Sequence, residues 1–145
     1  MPEQGWAIVV ARFYEDLADE LVAGARRVFE EAGGAVDVYD VPGAFELPLG
    51  ASYCVGSGRY RGVACLGAVI RGETSHYDHV CESAAEGILR VSLDTGVPCS
   101  FGVLTVESMD QALVRLGPKR HQGEDAARAV VAMAELRETV RDRSS

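Results

Sequence analysis

The sequence predicts an α/β fold: one four-stranded parallel sheet with helices on both faces, a three-layer α/β/α sandwich. Three observations carry this. Short apolar, β-branched runs alternate with stretches whose apolar residues recur at helical spacing. Glycine and proline pairs punctuate the alternation. Strands joined by helical crossovers pair in parallel and need cover on both faces.

Trp6–Val10 reads as the first strand. Leu17, Leu21, Val22, Ala25, Val28, Phe29 and Ala32 repeat at helical spacing, and Gly33-Gly34 ends that helix. Val36–Val41 is the second strand, closed by Pro42-Gly43. A helix follows from about Phe45, with Pro48 accommodated in its first turn, and ends near Gly56-Ser57-Gly58. Gly62–Ile70 is the third strand. The third helix begins at Thr74 or Ser75, where Ser75 and Asp78 have capping-box spacing. It carries Tyr77, Val80, Cys81, Ala84, Ile88 and Val91 on one face and stops at Gly96. Cys99–Val106 is the fourth strand. Met109, Leu113 and Leu116 form the face of a short helix stopped by Gly117-Pro118. The last helix runs from about Gly123 to Val140 with Ala126, Ala127, Val130 and Ala134 inward, and residues 141–145 are expected to fray.

The 145 residues suit a single domain, with a structured core over about 6–140. A domain of this size hides roughly 70% of its unfolded surface, enough for a core without staples. A net charge of −8 argues against a nucleic-acid partner. The apolar run Trp6–Ala11 is too short for a signal or a membrane span, so a cytoplasmic location is expected and no membrane association. Cys54, Cys65, Cys81 and Cys99 show no CxxC spacing and read as buried, reduced thiols.

In such sheets ligands bind beyond the carboxyl ends of the strands. Arg12-Phe13-Tyr14, Gly43–Glu46 and Arg71–His76 collect there, and the fourth strand adds Phe101, Thr105 and Glu107. Residues 67–80 are the most informative. An apolar strand stops at Arg71-Gly72 and a helix starts a few residues later, with His76 in its first turn. Unpaired N–H groups and the positive end of the helix dipole favour an anion there, beside a group that titrates near neutral pH. An anion cradle next to a proton carrier points to an enzyme.

Position alone leaves other readings open. Phe13 suits a core ring as well as a platform for a flat heterocycle. Glu46 suits a helix start as well as a ligand. Arg115 in a last helical turn and Lys119 in a loop suit the surface. His76 and His79 lack a third partner at metal-ligand spacing, so no metal is expected. Nucleophile-elbow, Walker and dinucleotide motifs are missing after the strands.

Taken together, Val41-Pro42-Gly43-Ala44-Phe45-Glu46-Leu47-Pro48, the stretch Gly67–Asp78, and Phe101-Gly102-Val103-Leu104-Thr105 resemble the lumazine synthases, which act at the penultimate step of riboflavin biosynthesis. The resemblance runs from about Ala7 to Leu136, with the three motifs in order and at family spacing. It implies a flavodoxin-like fold and a transferase. The reaction would condense 5-amino-6-(D-ribitylamino)uracil with 3,4-dihydroxy-2-butanone 4-phosphate to 6,7-dimethyl-8-ribityllumazine, phosphate and water, without a cofactor.

The resemblance also assigns roles. Phe13 would stack on the pyrimidine. Ala44, Phe45 and Glu46 would hold the ribityl chain, and Val69 and Ile70 would line the ring pocket. Gly72, Glu73 and Thr74 would wrap the phosphate, and His76 would move protons. Phe101 would close the pocket from a neighbouring subunit, and Arg115 would reach across to the phosphate, with Lys119 nearby. Asp125 stands where a glutamate often pairs with the catalytic histidine. A homo-oligomer is implied, a pentamer or a 60-mer shell, with riboflavin synthase as a candidate partner. Tyr14 replaces the usual asparagine, and residues 118–123 form a shorter loop than a common family form. A noncatalytic flavin- or lumazine-binding module is the competing expectation. A signalling receiver is not, since Arg12-Phe13 and Ile70-Arg71 stand where its acidic residues belong.

Overall fold

A computed structural model describes residues 4–72 and 76–144. In chain order the elements are β1 (Gly5–Ala11), α1 (Glu15–Ala32), β2 (Val36–Val41), a 3₁₀ turn (Ala44–Glu46), α2 (Leu47–Gly56), β3 (Tyr60–Ile70), α3 (Tyr77–Thr95), β4 (Cys99–Val106), α4 (Met109–Val114) and α5 (Gln122–Ser144). The strands form one sheet in the order β2-β1-β3-β4, and every pairing is parallel. This is the three-layer, flavodoxin-like arrangement that the alternating pattern implies. Among the described residues no helix is long and apolar enough to cross a membrane.

Strand alternation divides the interior into two cores. Trp6, Ile8 and Val10 of β1, with Ala64, Leu66 and Ile70 of β3, face α1 and α5. Ala7 and Val9, with Val63, Cys65 and Val69, face α2 and α3. β1 is buried along its whole length, as a central parallel strand must be. In the first core Trp6 stacks on Phe29, with centroids 5.0 Å apart, and its indole N–H donates to the Gly33 carbonyl at 2.8 Å. That bond satisfies a polar group that burial would otherwise leave at a cost.

Several boundaries differ from those the sequence predicts. β3 starts at Tyr60 rather than Gly62, because Tyr60 pairs with Gly5 and is buried with its hydroxyl donating to Asp37 at 2.7 Å. The second helix opens with the 3₁₀ turn and becomes α-helical only at Leu47, where Pro48 needs no N–H partner. α3 begins at Tyr77, and His76 takes the capping position. Ser75 of the expected capping box lies outside the described residues. In α4 it is Ala112 that is buried, while Met109 and Leu113 face outward. α5 extends to Ser144, past the expected end near Val140, with Arg141 and Arg143 complementing the negative end of the dipole. Cys81 and Cys99 are half-buried rather than buried.

His121 has a part in the fold that apolar spacing does not announce. Its Nδ1 accepts from the N–H groups of Gly123 and Glu124, so it caps α5 from a 91%-buried position.

Candidate active site

The strand order places the site. From β1 the chain moves outward to β2 and then returns to the other side of β1 for β3. The crossovers therefore leave on opposite faces, and a crevice opens between the carboxyl ends of β1 and β3. Phe13 lies two residues beyond β1, and Ile70 is the last residue of β3.

A cavity of about 230 Å³ occupies this crevice, lined by Phe13, Tyr14, Gly43, Ala44, Phe45, Glu46, Ala68, Val69, Ile70 and Val80. Six of the residues named from sequence meet here: Phe13, Ala44, Phe45, Glu46, Val69 and Ile70. The 3₁₀ turn after β2 aims Phe45 and Glu46 into the crevice, and Leu47 anchors that turn in the core beneath. Phe13 is 68% and Phe45 55% exposed. Two rings so open to solvent cost hydration free energy in an isolated protomer and are normally covered by a ligand or another chain.

Two further residues support these rings. Tyr14 meets Phe13 edge-on at 4.9 Å and 80° and packs against the first core, so it braces the platform. The His79 ring lies against Phe45, with centroids 6.5 Å apart and 25° between planes. In the sequence His79 stands out only by its spacing from His76. The helical spacing of Tyr77, Val80 and Cys81 already placed His79 on the outer side of α3, but the position of Phe45 was not readable.

At the end of β3 the turn bends at Gly72, whose φ of 88° lies in the left-handed region that glycine adopts without a Cβ clash. Glu73 and Thr74 lie outside the described residues. The chain re-enters at His76, exposed at the start of α3, where its carbonyl accepts from the Val80 N–H at 2.8 Å. Of the segment expected to cradle an anion, the described residues are thus Gly72 and His76, the latter capping a 19-residue helix.

The remaining predicted residues do not line the cavity. Phe101 sits near the start of β4, opposite Cys65, not at the carboxyl end with Thr105 and Glu107. It is five residues below the level of Ile70, about 16 Å along the strand. Arg115 is exposed at the end of α4, with its carbonyl accepting from the Gln122 N–H. Lys119 and Asp125 border a separate polar cavity of about 360 Å³ together with Arg27, His121 and Arg128. Asp125 pairs with Arg120 at 3.2 Å and Arg128 at 3.5 Å. Larger clefts of about 540 and 510 Å³ flank β4 and β2, the two edges of the sheet.

The cysteines offer no nucleophile at this site. Burial pushes the Cys54 and Cys99 thiols up to about 11 and raises Cys65 and Cys81 as well, so neutral pH leaves little thiolate.

The chain matches the family model described as 6,7-dimethyl-8-ribityllumazine synthase over residues 4–138. It is 51% identical over 130 residues to a 6,7-dimethyl-8-ribityllumazine synthase of Thermococcus gammatolerans, covering 89% of this chain and 84% of that one. A protein of the same description from Salinibacter ruber is 45% identical over 135 residues, covering 90% of this chain and 86% of its own. With the switch-point crevice, its paired rings and the glycine turn into α3, these matches show that the chain belongs to the 6,7-dimethyl-8-ribityllumazine synthase family.

Proposed function

We infer that this protein is a lumazine synthase of riboflavin biosynthesis. It condenses 5-amino-6-(D-ribitylamino)uracil with 3,4-dihydroxy-2-butanone 4-phosphate to 6,7-dimethyl-8-ribityllumazine, phosphate and water. The observation that carries this reading is the cavity shared by Phe13, Phe45, Glu46 and Ile70, which lies at the end of β3, two residues before Gly72, with Val80 of α3 in its lining. It offers flat apolar faces for a heterocycle, a carboxylate for hydroxyls, and a helix terminus for a phosphate.

The chemistry asks little else of the protein. The uracil brings its own amine, which attacks the ketone to form an imine. Phosphate leaves and the ring closes. Holding two substrates in contact supplies much of the acceleration. Phe13 stacks on the pyrimidine, Val69 and Ile70 wall it, and Ala44, Phe45 and Glu46 hold the ribityl chain. Gly72, Glu73 and Thr74 bind the phosphate. His76 moves protons between amine, carbonyl and leaving group.

The pocket is built between protomers. Within one protomer Phe101 and Arg115 lie away from the cavity, whose rings stay open. Among the described residues no further strand pairs with β2 or β4 at the two edges of the sheet, and Leu89, Leu93, Met133 and Leu136 expose an apolar face beside β4. Setting the β4 edge of one protomer over the crevice of the next supplies Phe101 as a lid and Arg115, with Lys119 near it, as the phosphate clamp. Such a contact joins unlike surfaces, and closing it gives a ring; we take the ring to be a pentamer. A cytoplasmic enzyme fits its unpaired thiols.

The test is to mix the purified protein with both substrates and follow the lumazine absorbance together with phosphate release. Parallel appearance of both supports the reading. Ligand binding without turnover favours the noncatalytic module instead.

A further inference from the structure

We propose that Arg71 is a positioning residue for the phosphate cradle, an inference that rests on the functional reading above. Arg71 directly follows β3 and precedes Gly72. Its backbone N–H donates to the Val106 carbonyl at 2.9 Å, extending the β3–β4 ladder by one step. Its guanidinium then reaches three ways. Nε donates to Glu107 Oε1 at 3.0 Å, just past the end of β4. NH2 donates to Asp78 Oδ1 at 3.3 Å, in the first turn of α3. Its Cζ lies over the Tyr77 ring, 4.3 Å from the centroid, and Tyr77 is itself held by the second core and by the Thr105 side chain.

One side chain therefore fastens the end of β3, the end of β4 and the start of α3. Those elements deliver the two ends of the cradle, Gly72 and His76. Singly, half-exposed ion pairs contribute little. Here the value lies in geometry, since the planar fork and the stacked ring restrict where α3 can start relative to β3. The Glu107 hydrogen bond first, and Asp78 with it, favour the charged guanidinium and raise its pKa. Arg71 is thus committed to protein partners rather than to the phosphate.

The experiment compares steady-state kinetics of the wild type, Arg71→Gln, Glu107→Gln and the double variant, with Tm as a check on folding. Positioning predicts that each single change raises KM for the ketose phosphate about tenfold and leaves KM for the pyrimidine within about twofold. The double variant should be no worse than Arg71→Gln alone, because that change already removes the Glu107 contact. A lower KM for the phosphate in Glu107→Gln would mean that freeing the arginine improves binding, and the proposal would be wrong. Wild-type kinetics in Arg71→Gln, additive losses, or equal rises in both KM values with a lowered Tm would overturn it too. Wild-type turnover is measured first. Its absence would remove the functional reading, and this inference with it, before any variant is compared.

Discussion

At Phe13 the fold and the proposed function can be tested separately on one ring. It projects beyond a fully buried strand and is braced edge-on by Tyr14. Replacing it with alanine should leave Tm nearly unchanged, because the ring is 68% exposed. KM for the pyrimidine should rise about tenfold, the scale of one lost aromatic contact. His76 makes the complementary case. Proton transfer by a placed side chain contributes at most a few orders of magnitude, while proximity of the substrates remains in a variant. His76→Ala should therefore slow turnover by about a hundredfold or less without abolishing it. A wild-type rate would remove the proton-transfer role. Chain position marks both residues as candidates, because strand ends in parallel sheets are where ligands bind, but leaves the bland readings open. Tyr14, His79 and Arg71 were harder to read, since their tasks depend on neighbours supplied by other elements.

Helix α5 shows what elements need beyond apolar periodicity. Gly123 lies at its start, and a Cβ there would come within 2.2 Å of the Leu21 carbonyl oxygen on α1. Backbone cannot give way as a flexible side chain does, so Gly123→Ala should cost about 1–3 kcal/mol, measured by denaturant unfolding. The same turn carries Glu124, which bonds Arg27 at 2.8 Å and Arg128 at 3.0 Å. The Arg27 hydrogen bond is the main cause holding the Glu124 carboxyl below its usual range. A depressed carboxylate contributes stability above its unfolded pKa and loses it as pH falls through the folded one. The Tm difference between wild type and Glu124→Gln should thus be present at neutral pH and vanish in acid. A gap that persisted unchanged at low pH would contradict the pairing. The existence and type of the long elements followed from their periodicity. Their ends did not, because caps such as His121 and the 3₁₀ turn before Pro48 depend on tertiary contacts and on backbone details that apolar spacing does not encode.

At the scale of the molecule, the strand order β2-β1-β3-β4 positions the crevice and puts β2 and β4 at the edges of the sheet. The alternation of strands and helices made the layers readable. The proposed division of the pocket between protomers is not readable from alternation, because Phe101 and Arg115 look like ordinary strand and helix-end residues; only the family resemblance gives them roles. Placing them across a subunit boundary implies that a monomeric form would be nearly inactive. Dilution or interface changes that dissociate the assembly, followed by light scattering, should lose turnover in parallel with size.

The most direct measurement uses two crippled proteins. Phe13→Asp damages the crevice and Arg115→Ala damages the clamp, so each alone should be nearly inactive. In co-expressed mixed rings an Arg115→Ala protomer still offers an intact crevice to the Arg115 of a Phe13→Asp neighbour. Random assembly should then restore about a quarter of wild-type lumazine formation per site. Activity no greater than the average of the two parents would place the whole site within one chain and contradict the account.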